Sequence, residues 1–430
     1  MESIRPGEPL YPLDASFWLD PYRHYPSLLS EPPRLLPTIV PLALISRYSD
    51  VVAVLRDPAR FSSQLPQFEF IGKIDPFGVP TILHSDPPAH TRNRRLVANY
   101  FNPACLDRIA FLTRSICRTL FDKIEVDGEF DAVGDLACPL SLAIVAEILG
   151  VPREDQAKLK LLTEKIFSLI RDGLNTAGAV LAGDPSLVGA NGQITDSVPA
   201  AITAVASSIP DSGSAAIASL REYFARLTLR RKTARGEDLI SALLTAHDDA
   251  GELSADEVIG IAELLLFAGH DTTVSLIANG LLALTRYPDQ IARLRSSPEL
   301  TPRAVEEILR FDSPVQMVLR FVTQRTEVGG TSIPAGAVAL VMLGGANRDP
   351  ARFIHPEIFD IARLPNDHLA FGYGIHRCVG APLARIQGRI AIGSVIERLP
   401  HLRLRHPEIP LRYDGSILSR GLRTLPMSIR

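Results

Sequence analysis

Residues 371–380 read Phe-Gly-Tyr-Gly-Ile-His-Arg-Cys-Val-Gly, and they carry the sharpest chemical signal in the chain. Gly372 and Gly374 let a short loop turn tightly or bring backbone close to something flat. Cys378 stands just before a helical segment, Ala381 to Arg398, with Pro382 in its first turn. Free N–H groups and the positive helix end favour a thiolate at that place. A lone thiolate suits an axial ligand to haem iron, and the plain alternative is a buried structural cysteine in a glycine-rich loop. The other cysteines, Cys105, Cys117 and Cys138, form no C-x-x-C pair, so a zinc ribbon, a thioredoxin motif and a c-type haem attachment are set aside. Scattered free thiols fit a reducing cytoplasm. The G-x-G of residues 372–374 lacks the third glycine and the strand–helix setting of a dinucleotide loop. No Walker motif, H-E-x-x-H or nucleophile elbow is present.

The whole string resembles the haem-ligating loop of the cytochrome P450 family, F-G-x-G-x-H-x-C-x-G, at every fixed position. That resemblance makes Cys378 the proximal iron ligand, with Phe371, Gly372 and Gly380 shaping the loop around it. Further motifs follow in the family's order along nearly the whole chain, most like those of soluble bacterial members. Glu307-Ile308-Leu309-Arg310 matches E-x-x-R, where residues three apart share a helix face and pair. In the family an arginine further on joins that pair in a buried structural network. Arg363, in Pro356-Glu357-Ile358-Phe359-Asp360-Ile361-Ala362-Arg363, is the matching position. Asp86-Pro87-Pro88-Ala89-His90-Thr91-Arg92-Asn93-Arg94 resembles the helix over one haem edge, with His90 and Arg94 four apart on one face. Arg320 and His376 match other haem-propionate contacts. The bland reading of each basic group alone is a solvated surface charge.

Ala268-Gly269-His270-Asp271-Thr272-Thr273 resembles the family's A-G-x-[DE]-T-[TS] over the oxygen site. By that resemblance Gly269 lets the helix pass close to the haem. Asp271 and Thr272 then supply an acid and an alcohol for proton delivery. The alternative is a mid-helix threonine bonded back to its own backbone. The resemblance as a whole implies a mainly α fold with small β-sheets, in which haem b (iron protoporphyrin IX) lies between the long central helix and the Cys-loop helix. It implies a haem-thiolate monooxygenase of secondary metabolism that inserts one atom of O2 into an apolar or amphipathic small molecule by hydroxylation or epoxidation. A peroxide-driven peroxygenase and a catalytically silent haem-binding recruitment module are the rival readings. Substrate-lining candidates by resemblance are Leu264, Ala268, Val315, Val318 and Ile417, with the stretches Phe68 to Pro80 and 170–215. The substrate itself stays open among terpenoid, steroid, fatty acid, polyketide and carrier-bound peptide.

Electrons must come from elsewhere. A ferredoxin-type cluster needs four cysteines, and only three remain beside Cys378. No flavin or nicotinamide fingerprint is present either. The expected partners are a ferredoxin or flavodoxin with its reductase, fed by NAD(P)H. Arg92, Arg95 and Arg377 are candidates for the docking patch, against the alternative that they are solvated charges or haem contacts.

These groups need a scaffold, and the sequence outlines one. Ser254-Ala255-Asp256-Glu257 is a capping box, and the helical pattern behind it runs without proline to Tyr287-Pro288. At about 1.5 Å per residue, some 30 residues reach roughly 45 Å, enough to cross the middle of the protein. Helices are also expected over Asp50 to Arg56, Ala89 to about Leu149, Glu154 to Leu169 and Thr301 to Phe311, with strands at Pro37 to Ile45 and Val338 to Leu343. Residues 172–220 hold no Lys or Arg, and read as a flexible loop, a mobile apolar lid or a plain surface connection. The chain reads as one domain over 1–430, with a β-rich N-terminal part to about residue 85 and a helical remainder. Its 430 residues, 46% hydrophobic and 22% charged, have the composition of an ordinary globular enzyme able to enclose a cofactor. A net charge of −3 makes no electrostatic case for nucleic acid. No signal peptide or membrane anchor is expected, and the chain is expected to work as a cytoplasmic monomer.

Overall fold

The computed structural model describes residues 17, 19–36, 40–64, 81–183, 212–250, 253–413 and 418–430, with backbone alone for 173–183, 212–214 and 248–250. The strands are β1 (Arg34–Leu36), β2 (Leu42–Ile45), β3 (Phe61–Ser62), β4 (Glu129–Asp131) and β5 (Val318–Val322). They continue with β6 (Thr326–Val328), β7 (Thr331–Ile333), β8 (Val338–Val341), β9 (Arg403–Leu404) and β10 (Pro426–Ser428). The largest sheet has the order β1-β2-β8-β5-β3. Leu42 to Ile45 lie parallel to Val338 to Val341, and all four residues of β2 are buried. An apolar run without alternation is what a strand covered on both faces requires.

The expected β-rich start is corrected by this topology. Within the first 85 residues lie helices α1 (Tyr25–Ser30) and α2 (Tyr48–Leu55); β1 pairs with β2, while β2 and β3 also take partners from residues 318–341. The continuous helical stretch to Leu149 is corrected as well. It is divided into α3 (Ala89–Tyr100), α4 (Pro103–Asp127) and α5 (Cys138–Leu149), with β4 and a π-helical turn, Ala132–Ala137, between the last two. Asn102 starts α4 by accepting the Cys105 N–H at 3.0 Å, and Pro103 occupies its first turn. Gly128, at φ 75°, ends it and lets the chain turn into β4.

Next come α6 (Gln156–Gly183), α7 (Ser212–Thr233), α8 (Leu239–Ala250) and α9 (Ala255–Arg286). The helix expected to end at Leu169 thus continues to Gly183. Apart from the ends of α6 and α7, the lid segment lies outside the described residues, as does all of Phe68 to Pro80. The last helices are α10 (Pro288–Ser296), α11 (Thr301–Phe311), α12 (Leu343–Ala346) and α13 (Ala381–Arg398). α11 and α13 fall on the expected residues.

α9 has 32 residues and carries its capping box: Ser254 Oγ accepts the Glu257 N–H, and a Glu257 carboxylate oxygen accepts the Ser254 N–H. It is buried on most sides because α5, α7, α11 and α13 all pack on it. A Cβ on Gly280 would stand 2.8 Å from Ile308 Cδ1, so glycine lets α11 come close at that crossing. Ala132–Leu149 and Ala255–Arg286 have the length and composition of membrane spans, but 67% of each apolar window is buried in the fold, as in core helices.

Candidate active site

The Cys378 loop is tied by short backbone bonds. The Cys378 N–H donates to the Phe371 carbonyl at 2.8 Å, and the Gly372 N–H donates to Leu369 at 2.8 Å. Gly374 sits at φ 70°, and a Cβ there would lie 2.1 Å from the Leu55 carbonyl oxygen. Only glycine lets the loop rest on the end of α2. Phe371 lies under the Arg385 guanidinium, 4.5 Å from the ring centre. Arg385 in turn forks onto Glu306 at 2.8 and 2.7 Å, and His368 Nε2 lies 3.1 Å from the same carboxylate. This Arg385–Glu306–His368 set escaped the sequence reading. The available signal was an arginine two turns after the cysteine and a second glutamate beside Glu307.

Cys378 is exposed, yet burial is the largest influence on its thiol and pushes its pKa up. The sulfur therefore opens on space enclosed by the protein. N–H groups of Gly380 and Ala381, with Arg94 and Arg385, work the other way without outweighing burial. The N–H groups at the helix start favour a thiolate as expected, but desolvation opposes them more strongly, and a thiolate here needs a cation against the sulfur.

Beside the cysteine lies a cluster of two histidines and two arginines in which three buried ring nitrogens lack partners. The His90 and His376 ring centres are 4.2 Å apart. Neither ring nitrogen of His90, nor Nε2 of His376, has a hydrogen-bond partner, although all three atoms are buried. Burial, then Arg320, His90 and Arg94, lowers the His376 pKa to about 3. Burial also lowers Arg320 to about 10, and its guanidinium reaches the Leu319 carbonyl. Asp86 is the acid in electrostatic reach of Arg320 and His90, but it is engaged by the Ser62 hydroxyl and the Ser63 N–H. Desolvated donors and cations gathered like this call for an anionic ligand. The two carboxylates of haem, together with an iron for the sulfur, fit this set of donors.

On α9, Leu264, Ala268 and Thr272 share a face. Ala268 is exposed on a helix whose neighbours are mostly buried, so that face borders open space. Thr272 is half-buried, and its hydroxyl donates to the Ala268 carbonyl at 2.7 Å. The backbone-bonded alternative is thus the conformation seen. Asp271 is half-buried within electrostatic reach of Cys138 on α5, as is Lys160 on α6. His270 is buried and, lowered to about 4 chiefly by burial, stays neutral at pH 7. Gly269 also serves the packing of the fold. A Cβ on it would meet Val145 Cγ2 at 2.9 Å, so it brings α5 close, and the Ser141 hydroxyl reaches the Gly269 and His270 carbonyls.

Glu307 and Arg310 are both fully buried and doubly bonded, at 2.7 and 2.8 Å. Arg363 joins at 3.1 Å from Glu307. Arg310 also donates to the carbonyls of Asn347, Pro356 and Ile358, and Arg363 to those of Ile354, His355 and Ile358. Two cations share one carboxylate and pin the segment that leads into the Cys378 loop.

Val315 and Val318 are half-buried, and Ile417 lies outside the described residues. Among the docking candidates, Arg92 is corrected: it pairs with Glu257 at the start of α9 and donates to Asn93, which ties α3 to α9. Arg95 and Arg377 are exposed. Among the described residues no group of three His, Cys, Asp or Glu side chains could hold a metal ion.

The family model described as Cytochrome P450 matches residues 33–424. The chain belongs to the cytochrome P450 family. Similar proteins include Cytochrome P450 107B1 of Saccharopolyspora erythraea, 35% identical and covering 97% of each chain. Cytochrome P450 monooxygenase PikC of Streptomyces venezuelae is 36% identical, over 97% of this chain and 93% of its own. The solved structure of P450BioI, in complex with hexadec-9Z-enoic acid ligated acyl carrier protein, superposes with a TM-score of 0.80 at 30% identity, covering 96% of this chain and 100% of that one. The mainly helical P450 fold with small sheets agrees with these likenesses. This P450 is an oxidoreductase of the monooxygenase class, and family membership carries haem-thiolate iron and the use of O2 with it.

Proposed function

We propose that this P450 inserts one oxygen atom of O2 into an apolar or amphipathic small molecule, by hydroxylation or epoxidation, in bacterial secondary metabolism. The observation that carries the reading is the set of buried His90 and His376 nitrogens without partners, near Arg94 and Arg320 and beside a cysteine that opens on enclosed space. Cys378 would hold the iron, and His90, Arg94, Arg320 and His376 would hold the propionates. Phe371, Gly372 and Gly380 would shape the loop, and Glu307, Arg310 and Arg363 would keep it in place. Bound haem supplies the iron at which O2 is activated. Thr272 turns its hydroxyl from Ala268 toward the enclosed space and delivers a proton from Oγ1. Asp271 restores that proton from the α5–α6 side. Leu264, Ala268, Val315, Val318 and Ile417 exclude water and orient the substrate.

An acyl chain on a carrier protein is the ligand of one structural neighbour, which supports an elongated apolar substrate here, free or carrier-bound. A ferredoxin or flavodoxin with an NAD(P)H-dependent reductase supplies electrons, and Arg95 and Arg377 help it dock. The chain works as one domain and one copy in the cytoplasm. Turnover with reduced ferredoxin, compared with turnover on hydrogen peroxide, tests the reading. Product with ferredoxin and O2 supports it. Product with peroxide alone makes the protein a peroxygenase, and none with either makes it a haem-binding module.

A further inference from the structure

Gln316 stands beside Val315, in the stretch read above as a substrate wall, and all its polar groups are occupied. Its N–H donates to the Leu418 carbonyl at 2.8 Å, and its own carbonyl accepts the Gly344 N–H at 2.9 Å. Tyr25 donates its hydroxyl to Gln316 Oε1 at 2.6 Å. Nε2 donates to the Ser313 carbonyl at 2.8 Å and to the Tyr22 hydroxyl at 3.1 Å. Tyr22 donates its own hydroxyl to Asp312 at 2.6 Å, and Arg420 donates to the same carboxylate oxygen at 3.2 Å. Arg420 lies over the Tyr413 ring, 3.7 Å from its centre.

The Val315 stretch and the segment that follows Ile417 are tied at this cluster. The Arg420 N–H donates to the Pro314 carbonyl at 2.8 Å, and Val315 bridges Ser419. Asn279, two turns beyond Thr272 on α9, donates to the carbonyls of Asp312 and Arg420. The packing leaves no slack: a Cβ on Gly344 would fall 2.1 Å from Gln316 Oε1, and one on Gly421 would fall 2.4 Å from Ser275 Oγ. Every polar group of Gln316 is satisfied, and such a buried network favours one arrangement. Loss of one hydroxyl sends its partner looking for another.

We propose that Tyr22, Tyr25, Asp312 and Arg420 are positioning residues that clamp Gln316, so that the N-terminal segment sets which substrate shapes the Val315 and Leu418 wall admits. The proposal rests on the reading of that stretch as a substrate wall in a haem protein. It makes residues remote from the haem loop determinants of specificity. They act by fixing the wall backbone and touch no substrate.

The test titrates the haem-loaded protein with imidazole and with 4-phenylimidazole, following the Soret band. Imidazole reads the iron, and the phenyl arm reads the wall. In Tyr22→Phe and Tyr25→Phe the imidazole Kd should stay within about twofold, while the 4-phenylimidazole-to-imidazole ratio shifts by about fivefold or more, the scale of a pocket altered by a methylene or so. The double variant should shift it by less than the product of the singles, because both hydroxyls act through Gln316. Arg398→Gln, which removes surface pairs to Asp122 and Glu125, should lower thermal stability and leave the ratio alone. An unchanged ratio in both tyrosine variants, or an equal shift in Arg398→Gln, overturns the clamp. No Soret response to imidazole in the unaltered protein overturns the haem reading, and the clamp's role with it.

Discussion

The Thr272 hydroxyl donates to the Ala268 carbonyl, 2.7 Å away and one turn earlier in α9. Threonine in a helix has two accessible χ1 rotamers, so a single rotation trades this bond for one pointing elsewhere. Thr272→Ala should therefore keep the haem spectrum but waste electrons. Loss of a relay group costs on the order of 10²-fold in a proton-transfer step. Hydrogen peroxide formed per NADH consumed should rise sharply, and Thr272→Ser should restore coupling. Unchanged coupling in Thr272→Ala would remove the relay role.

Glu307 is fully buried and neutralises the fully buried Arg310 and the partly buried Arg363. Glu307→Gln leaves both cations uncompensated, and breaking a buried pair this way costs about 3–5 kcal/mol. Urea unfolding of the holoprotein should show a loss of that size. A loss below about 1 kcal/mol would mean that the network does not hold the segment before the loop.

Burial acts to raise the Glu306 pKa, but bonds from His368 and Arg385 outweigh it and lower the value to about 2. A carboxylate depressed in the folded state stabilises above its unfolded pKa, about 4.3, and loses that contribution as pH falls toward 2. Stability should decline from about pH 5 downward, and Glu306→Gln should flatten part of that slope while costing stability at pH 7. Parallel pH profiles for the two proteins would contradict the assignment.

Arg94 and Arg320 lie near His90 and His376, each lowering the pKa of both imidazoles. This arrangement is unfavourable unless an anion fills it. Arg320→Leu and Arg94→Leu should hasten haem transfer to apomyoglobin. A hydrogen bond to a charged group contributes about 1.5–3 kcal/mol, so the expected factor is roughly 10–100. Haem retention equal to that of the unaltered protein would argue that the cluster serves another ligand.

Partner docking through exposed charge should weaken as salt rises, because the Debye length is about 8 Å at physiological strength. Arg95→Glu and Arg377→Glu should slow the first electron transfer at low salt. Arg92→Gln should not, since Arg92 is already paired with Glu257. Rates indifferent to salt and to both charge reversals would rule out this surface.

The haem loop, the E-x-x-R helix and the α9 motif were legible because local chemistry defines them: glycines at φ 69° and 70°, a pair at i and i+3, a capping box. The pairings of β2 with β8 and of β3 with β5 were not, because they span some 260–300 residues and leave only short apolar runs in sequence. The Arg92 pairing and the back-bonded Thr272 were hidden for a related reason. Spacing tells which face a side chain occupies, but only the packed neighbour tells which atom it meets. The thiol at Cys378 needed both parts of the balance. The N–H groups that favour its anion were readable, whereas the burial that outweighs them emerged only from the fold.

The claim on which the rest depends is that Cys378 holds the iron of a bound haem as thiolate. The reduced protein under carbon monoxide should absorb at the wavelength typical of thiolate ligation, and Cys378→His should abolish that band, moving any remaining absorption to the region of histidine-ligated haem. The same band in Cys378→His, or its absence from the unaltered haem-loaded protein, would contradict the account.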